Sequence, residues 1–268
     1  MWSCPHCQLP LQPGSSGASL VCANRHEFDR AREGYVNLLP ANRKRSREPG
    51  DSTEMIAARR RVHESGAYVE LASAISGQLA SLATMEAMLD LGCGEGFYLD
   101  AMAAAQPAAQ LCAVDISRAA VRLAARRHRS ASIAVASAFH LPLPESCMDA
   151  VLRVFAPSDD AQLARVLKPG GHYLEVCPGP RHLWQLREQL YRVPREHAPA
   201  RVEVAGMDLV ASQNVAYELP LDRALLADLV TMTPFAHRGQ RARREALLAS
   251  GLHAVSMAFS LHLFRLNR

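Results

Sequence analysis

The sequence predicts an α/β protein: a mostly parallel, doubly wound sheet covered by helices, with a small metal-binding β-hairpin unit at its N-terminus. Three observations predict it. From Ser52 onward, short apolar runs alternate with amphipathic helical stretches. The turn "LDLGCGEG" (89–96) joins one such buried run to a helix. At the other end, Cys4, Cys7, Cys22 and His26 crowd together, while the remaining four cysteines scatter singly.

The elements follow in order. Residues 53–82, "TEMIAARRRVHESGAYVELASAISGQLASL", carry helical periodicity interrupted near Gly66, with Asp51 or Ser52 as N-cap. "AMLDL" (87–91) is a short apolar run stopped by glycines, hence a strand. "GFYLDAMAAAQ" returns to helix, "QLCAVD" (110–115) to strand, "SRAAVRLAARRH" to helix and "SIAVA" (132–136) to strand. After the Pro-marked turn "LPLPES" comes the strand "MDAVLRVFA" (148–156). The short helix "DDAQLARVL" ends at "KPGG", and "HYLEVC" (172–177) is the next strand. Such alternation implies crossover connections and parallel pairing. The tail differs: a polar strand in "ASQNVAYELPL", helices in "DRALLADLV" and "RREALLAS", and the alternating strand "AVSMAFSLHLF" suit an antiparallel edge.

At 268 residues the chain accommodates one sizeable domain and a small appendage. A metal-binding unit at 1–38, a basic linker at 39–53 and a large domain at 54–268 are expected. A content of 49% hydrophobic and 21% charged residues excludes a disordered chain. No run approaches the roughly 20 apolar residues that span a bilayer. The start "MWSCPHCQ" shows no secretory signal, so a cytoplasmic location is expected. Seven cysteines, an odd number, then favour a metal site over a disulfide framework. The net charge of +4 is mild, but its distribution is uneven. Arg43, Lys44, Arg45 and Arg47 fall in a Pro-flanked linker; Arg59–61 and Arg126, Arg127 and Arg129 form further clusters. Such runs neutralise phosphates, or form solvated helix faces.

The glycine turn is the sharpest motif of the large unit. Gly92, Gly94 and Gly96 allow tight backbone geometry and close approach of a ligand to the main chain. The spacing is neither that of a dinucleotide site nor of a phosphate loop with its lysine. Asp90 precedes the turn; Asp115, nineteen residues after Gly96, ends the next strand, where a carboxylate can accept both ribose hydroxyls. "LDLGCGEG", "AVDIS", "LKPGGHYLEV" and "ASAFHLPL" together resemble the class I S-adenosylmethionine-dependent methyltransferases. Ser137 stands where many members of that superfamily carry an acidic residue near the adenine.

In the head, Cys4 and Cys7 form one ligand pair and, after fourteen intervening residues, Cys22 and His26 form another. Three thiolates and an imidazole suit tetrahedral zinc in a closed, structural site. His6 is a rival ligand, though its adjacency to Cys7 favours His26. A unit this small needs its metal to fold. Cys93, Cys112, Cys147 and Cys177 lie in or beside apolar strands and read as small buried hydrophobes.

With these parts assembled, "CPHC…CANRHEFDRAREGYVNLLP", "KRSREPGDSTEM", "LDLGCGEGFY", "PGPRHL" and "MTPFAHR" resemble the 23S ribosomal RNA guanine-N1 methyltransferases, in order over nearly the whole chain. The resemblance implies an N-terminal zinc-binding domain, a class I methyltransferase domain, a guanine in a hairpin loop of 23S rRNA domain II as substrate, and a homodimer. It maps Cys4, Cys7, Cys22 and His26 onto zinc ligands, and Gly92, Gly94, Glu95 and Gly96 onto the cofactor turn. Tyr68 and His182 fall at positions beside the cofactor; read alone, they are a helix aromatic and a helix N-terminal residue.

The implied chemistry needs an acceptor for the guanine N1 proton. "RVFAPSDD" offers Phe155 to stack on the base and Asp159 or Asp160 to take the proton, although both aspartates also suit helix N-capping. Two other functions fit parts of the sequence: a methyltransferase of small molecules, which leaves the head and arginine runs idle, and a zinc-dependent RNA-binding protein with a vestigial methyltransferase fold.

Overall fold

Residues 2–43, 50–233 and 241–267 are described by the structure, a computed structural model. In the head, β1 (Gln12–Pro13), β2 (Ser19–Val21) and β3 (Glu27–Asp29) form an antiparallel sheet, so the expected hairpin gains a third strand. The chain then contributes β4 (Val36–Asn37) to the large sheet, makes a 3-10 turn at Ala41–Arg43 and enters α1 (Thr53–Glu64). Ser52 is the N-cap, its hydroxyl accepting the Met55 N–H at 3.2 Å. Helix α1 stops at Ser65 and Gly66, the latter at φ +84°, and α2 (Val69–Ala80) starts after Tyr68. The long helical segment is thus two helices with Tyr68 at the corner.

The remaining elements are β5 (Ala87–Leu91), α3 (Phe97–Ala105), β6 (Gln110–Asp115), α4 (Arg118–Arg127), β7 (Ser132–Val135), β8 (Met148–Val154) and α5 (Asp160–Val166). They are followed by β9 (Leu167–Pro178), α6 (Trp184–Leu190), β10 (Met207–Pro220), α7 (Arg223–Met232), α8 (Arg241–Ala249) and β11 (Ala254–Leu266). The large sheet runs β10-β11-β9-β8-β5-β6-β7-β4. Its six strands from β4 to β9 pair in parallel, and β10 and β11 close one side antiparallel, as the tail's pattern implied. Between β8 and β5 the strand order reverses, which opens a crevice at the strands' C-terminal ends.

Alternation along β5 explains the layers. Met88 faces one apolar core with Leu71, Ile75 and Leu99; Ala87, Leu89 and Leu91 face a second core on the other side. That second core also takes in Trp2, Cys4, Leu11, Leu20 and Cys22 from the head. A backbone bond from Ser3 N–H to the Pro142 carbonyl, 2.9 Å, reinforces the junction. The head therefore shares a hydrophobic core with the large domain.

Candidate functional site

The head's two ligand pairs meet on two tight turns. Cys7 Sγ lies 3.7 Å from Cys22 Sγ, and His26 Nδ1 lies 3.4, 3.6 and 3.4 Å from the sulfurs of Cys4, Cys7 and Cys22. A tetrahedron built on about 2.3 Å zinc–sulfur bonds has edges of about 3.8 Å. The four ligand atoms, all within 4.8 Å of one another, fit that ion in number, kind and size. Burial opposes ionisation of Cys22, yet the His26 N–H, the Cys7 thiol and the Asn24 N–H outweigh it and bring its pKa down to about 7. His6 stays outside the cluster and stacks on Phe28, ring centroids 5.9 Å apart.

At the crevice, three left-handed glycines shape the loop after β5: Gly92 at φ +81°, Gly94 at +55° and Gly96 at +86°. Two of them are forced by neighbours. A Cβ on Gly92 would stand 2.3 Å from the Ala156 Cβ, and one on Gly96 would stand 2.9 Å from the His128 ring. A Cβ on Gly94 would meet nothing within 4 Å, so that side of the turn faces open space. Asp115 at the tip of β6 accepts the Gly94 N–H (3.0 Å) and the Ser117 N–H (2.7 Å), one on each oxygen. Each oxygen keeps a lone pair for a ribose hydroxyl.

Asp90 is 1% exposed, and its Oδ2 has no hydrogen-bond partner. Burial, with the charges of Asp115 and Glu95 behind it, pushes its pKa up to about 8. An orphaned buried carboxyl group beside an open glycine has the chemistry to take a cation in exchange for its proton, and the ammonium group of S-adenosylmethionine fits that chemistry. Ser137, just past β7, accepts the Phe139 N–H at 3.2 Å and lies half-buried.

Helix α1 closes the crevice from another side. His63 Nδ1 bonds Glu95 Oε1, its ring stacks on Phe97 at 4.1 Å, and Tyr68 meets it edge-on at 5.2 Å. Burial works against the Glu95 carboxylate, but the His63 bond holds it below its usual range. The sequence reading did not single out His63. Its signal was a polar residue seven positions after Ile56, on the buried stripe of α1.

An aromatic group faces the turn from β8 and β11. Phe155, 44% exposed, sits in the left-handed region at φ +54°, a strained conformation for an aromatic residue. Its ring lies 5.9 Å from His182 and 6.0 Å from Phe259, with Phe259 5.7 Å from Tyr68. His182 Nδ1 accepts the Ala258 N–H at 3.3 Å, which leaves the ring proton on Nε2. Burial, helped by His197 and Arg187, lowers its pKa to about 3, so the ring is neutral at pH 7.

The two aspartates after Phe155 have other partners. Asp159 caps α5 by accepting the Ala161 N–H at 3.0 Å, and Asp160 pairs with Arg201 at 2.7 Å. Arg201 also reaches Glu175, 3.2 Å away and 1% exposed, which pairs with Arg153; Arg153 in turn donates to Ser158 at 2.7 Å. This partly buried network ties down the 155–160 loop. Of the linker cations, Lys44, Arg45 and Arg47 lie outside the described residues, and only the backbone of Arg43 is described. Most of "MTPFAHR" also lies outside them.

Fold and site together define a class I S-adenosylmethionine-dependent methyltransferase with a zinc-ribbon head. The family model described as "RlmA, N-terminal", a zinc ribbon, matches residues 2–47, and a methyltransferase-domain model matches residues 88–171. The 23S rRNA (guanine(748)-N(1))-methyltransferase of Streptomyces fradiae is 36% identical over 98% of this chain and 95% of its own. A Bacillus subtilis relative assigned to the same guanine-N1 methyltransferases is 33% identical over 88% of this chain and 86% of its own. A methyltransferase structure from Bacillus halodurans, 17% identical, covers 72% of this chain and 97% of its own with a TM-score of 0.51, a likeness of fold. The chain belongs to the 23S rRNA (guanine-N1)-methyltransferase family.

Proposed function

We propose that this protein transfers a methyl group from S-adenosylmethionine to N1 of a guanine in a hairpin loop of 23S rRNA domain II. The observation that carries the reading is identity at family level along the full chain, head included. A small-molecule methyltransferase would leave that head without a task. The orphaned Asp90 and open Gly94 speak for a working donor site, against a vestigial one.

The bound cofactor supplies an electrophilic sulfonium methyl; the N1–carbon bond forms as the sulfur–carbon bond breaks, and the N1 proton leaves. Tyr68, Asp90, Gly92, Gly94, Glu95, Gly96, Asp115, Ser137 and His182 hold the donor, with Asp115 on the ribose and Asp90 on the ammonium. Phe155 stacks on the extruded guanine, since a base must leave its stack to reach a buried donor. Asp159 or Asp160 accepts the N1 proton, for which each must give up its present partner. Cys4, Cys7, Cys22 and His26 bind a structural zinc. The head at 1–38 and the linker at 39–53, with Arg43, Lys44, Arg45 and Arg47, grip the hairpin while residues 54–268 modify the base. Action on ribosomal RNA fits a cytoplasmic protein. The 14-residue outer strand β10, with Leu209 and Val210 exposed, offers an edge for a homodimer.

Primer extension on 23S rRNA from cells with and without the protein tests this reading, because N1 methylation blocks base pairing. A protein-dependent stop at one guanine of domain II is expected; identical traces would sink the proposal. Asp159→Asn and Asp160→Asn test the proton acceptor in single-turnover assays. Unchanged rates in both would remove these residues from the chemistry.

A further inference from the structure

The arginines of α4 divide into two groups. In its second half Arg126 pairs with Glu33 at 2.9 Å and Arg127 pairs with Asp100, so these cations are neutralised within the fold. In its first half Arg118 gives only Nε to the Tyr35 hydroxyl, 3.1 Å away, and Arg122 has no partner among the described residues. Arg32, at the end of the head, makes no hydrogen bond or close ion pair among the described residues and feels Glu33 only through space. These three cations line one cavity of about 810 Å³, bounded by residues 31–39 at the end of the head, residues 50–53 and the start of α4.

Two carboxylates share the lining, Glu33 and Asp51, but Arg126 and Arg59 already engage them. Glu33 also acts on Arg32 and Arg118, yet three arginines against two carboxylates already engaged by Arg126 and Arg59 leave the concave seam with an excess of positive charge, which raises the local concentration of anions. The cavity is separate from the donor cleft: none of Tyr68, Asp90, Gly94, Glu95 and His182 lines it. It touches that cleft through Ile116 and Ser117, the two residues after Asp115. An anion held there lies beside the donor, at the junction of head and large domain. Guanidinium forks match phosphate oxygens in geometry as well as charge.

We infer that this cavity is a phosphodiester-binding site for the RNA strand whose guanine enters the donor cleft, with Arg32, Arg118 and Arg122 as its ligands. The inference rests on the proposed function and deepens it. It also gives the seam a role that neither half has alone: a nucleotide gripped between the two halves is held in register with the methyl donor.

The test uses full-length, zinc-loaded protein and a fluorescein-labelled transcript of 23S rRNA domain II, titrated by anisotropy at several potassium chloride concentrations. Arg32→Gln with Arg122→Gln is expected to weaken binding about tenfold, and to flatten the slope of log K against log salt by about one per lost phosphate contact. Arg122→Lys should restore most of the slope, because it restores the charge. Affinity for S-adenosylmethionine, read by calorimetry, stays within about twofold, and Arg127→Gln leaves the salt slope unchanged. Unaltered RNA affinity and slope in the double variant would overturn the inference. So would an equal loss of cofactor affinity, which would make the cavity part of the donor site, or an equal effect of Arg127→Gln. A wild-type protein that fails to bind the transcript would instead refute the proposed function itself.

Discussion

The zinc head and the donor cleft solve opposite problems with similar materials. In the head every functional atom faces another: three sulfurs and one imidazole nitrogen converge within 4.8 Å, leaving no position for a substrate. In the cleft the functional atoms face outward: Asp90 keeps an unpartnered oxygen, Gly94 fronts open space, and Phe155 holds a strained conformation. A site built for stability closes its own shell. A site built for turnover is left incomplete, and the surrounding fold bears the cost.

Removing zinc should have the largest effect. Structural zinc is worth roughly 10–16 kcal/mol in small domains, comparable with the roughly 5–15 kcal/mol that stabilises a whole fold. Chelation should therefore unfold the head and reduce RNA affinity by about a hundredfold or more, with a much smaller loss of cofactor affinity. RNA binding that survives chelation would break the contrast between the two regions. Next in size, on the proposed role of Asp115, Asp115→Ala would remove two charge-assisted bonds to the ribose, worth about 1.5–3 kcal/mol each. Calorimetry should show cofactor affinity down at least tenfold while bound zinc, read by metal analysis, stays at one per chain.

A smaller effect is expected for Phe155→Ala. Stacking of a base on an aromatic ring contributes about 1–3 kcal/mol, so transfer should slow by about tenfold with cofactor affinity unchanged. A parallel loss of cofactor affinity would reassign Phe155 to the donor's own pocket. The smallest effect is a matter of pH. The folded Asp90 titrates near 8, far above its unfolded value, so the free protein holds a proton that the unfolded chain releases. Its contribution to stability is full at low pH and is lost as pH rises from about 4 through 8. Asp90→Asn should flatten that decline in Tm. In the unaltered protein, binding of the cofactor's ammonium should release a proton below pH 8, seen as buffer-dependent heats, and Asp90→Asn should abolish that release.

Much of this was legible in the residues. The strand at 87–91, the glycine turn and Asp115 lie close in sequence, and their local pattern carries their geometry. Spacing alone also favoured His26 over His6, because a ring adjacent to Cys7 cannot easily share its metal. Partners distant in the chain were not legible. His63 and Glu95 are 32 residues apart, and only the packing of α1 over the turn joins them. The arginines of α4 look alike as text; Glu33 and Asp100 distinguish them, and neither is near them in sequence. The same holds for Asp160, whose tie to Arg201 crosses 41 residues. Strand β4 escaped for another reason: two residues are too few to show a period.

That two-residue strand has a consequence for how the molecule is made. Val36 pairs with Ala134, so the outermost strand of the large sheet is synthesised roughly a hundred residues before its neighbour. While it waits, the four metal ligands of the head that carries it are complete as soon as His26 has emerged. Zinc capture early in synthesis then keeps an aggregation-prone strand and its flanking Tyr35 and Leu38 tethered to a folded unit. Metal supply during translation is thus expected to affect the yield of active enzyme, well before any RNA is met.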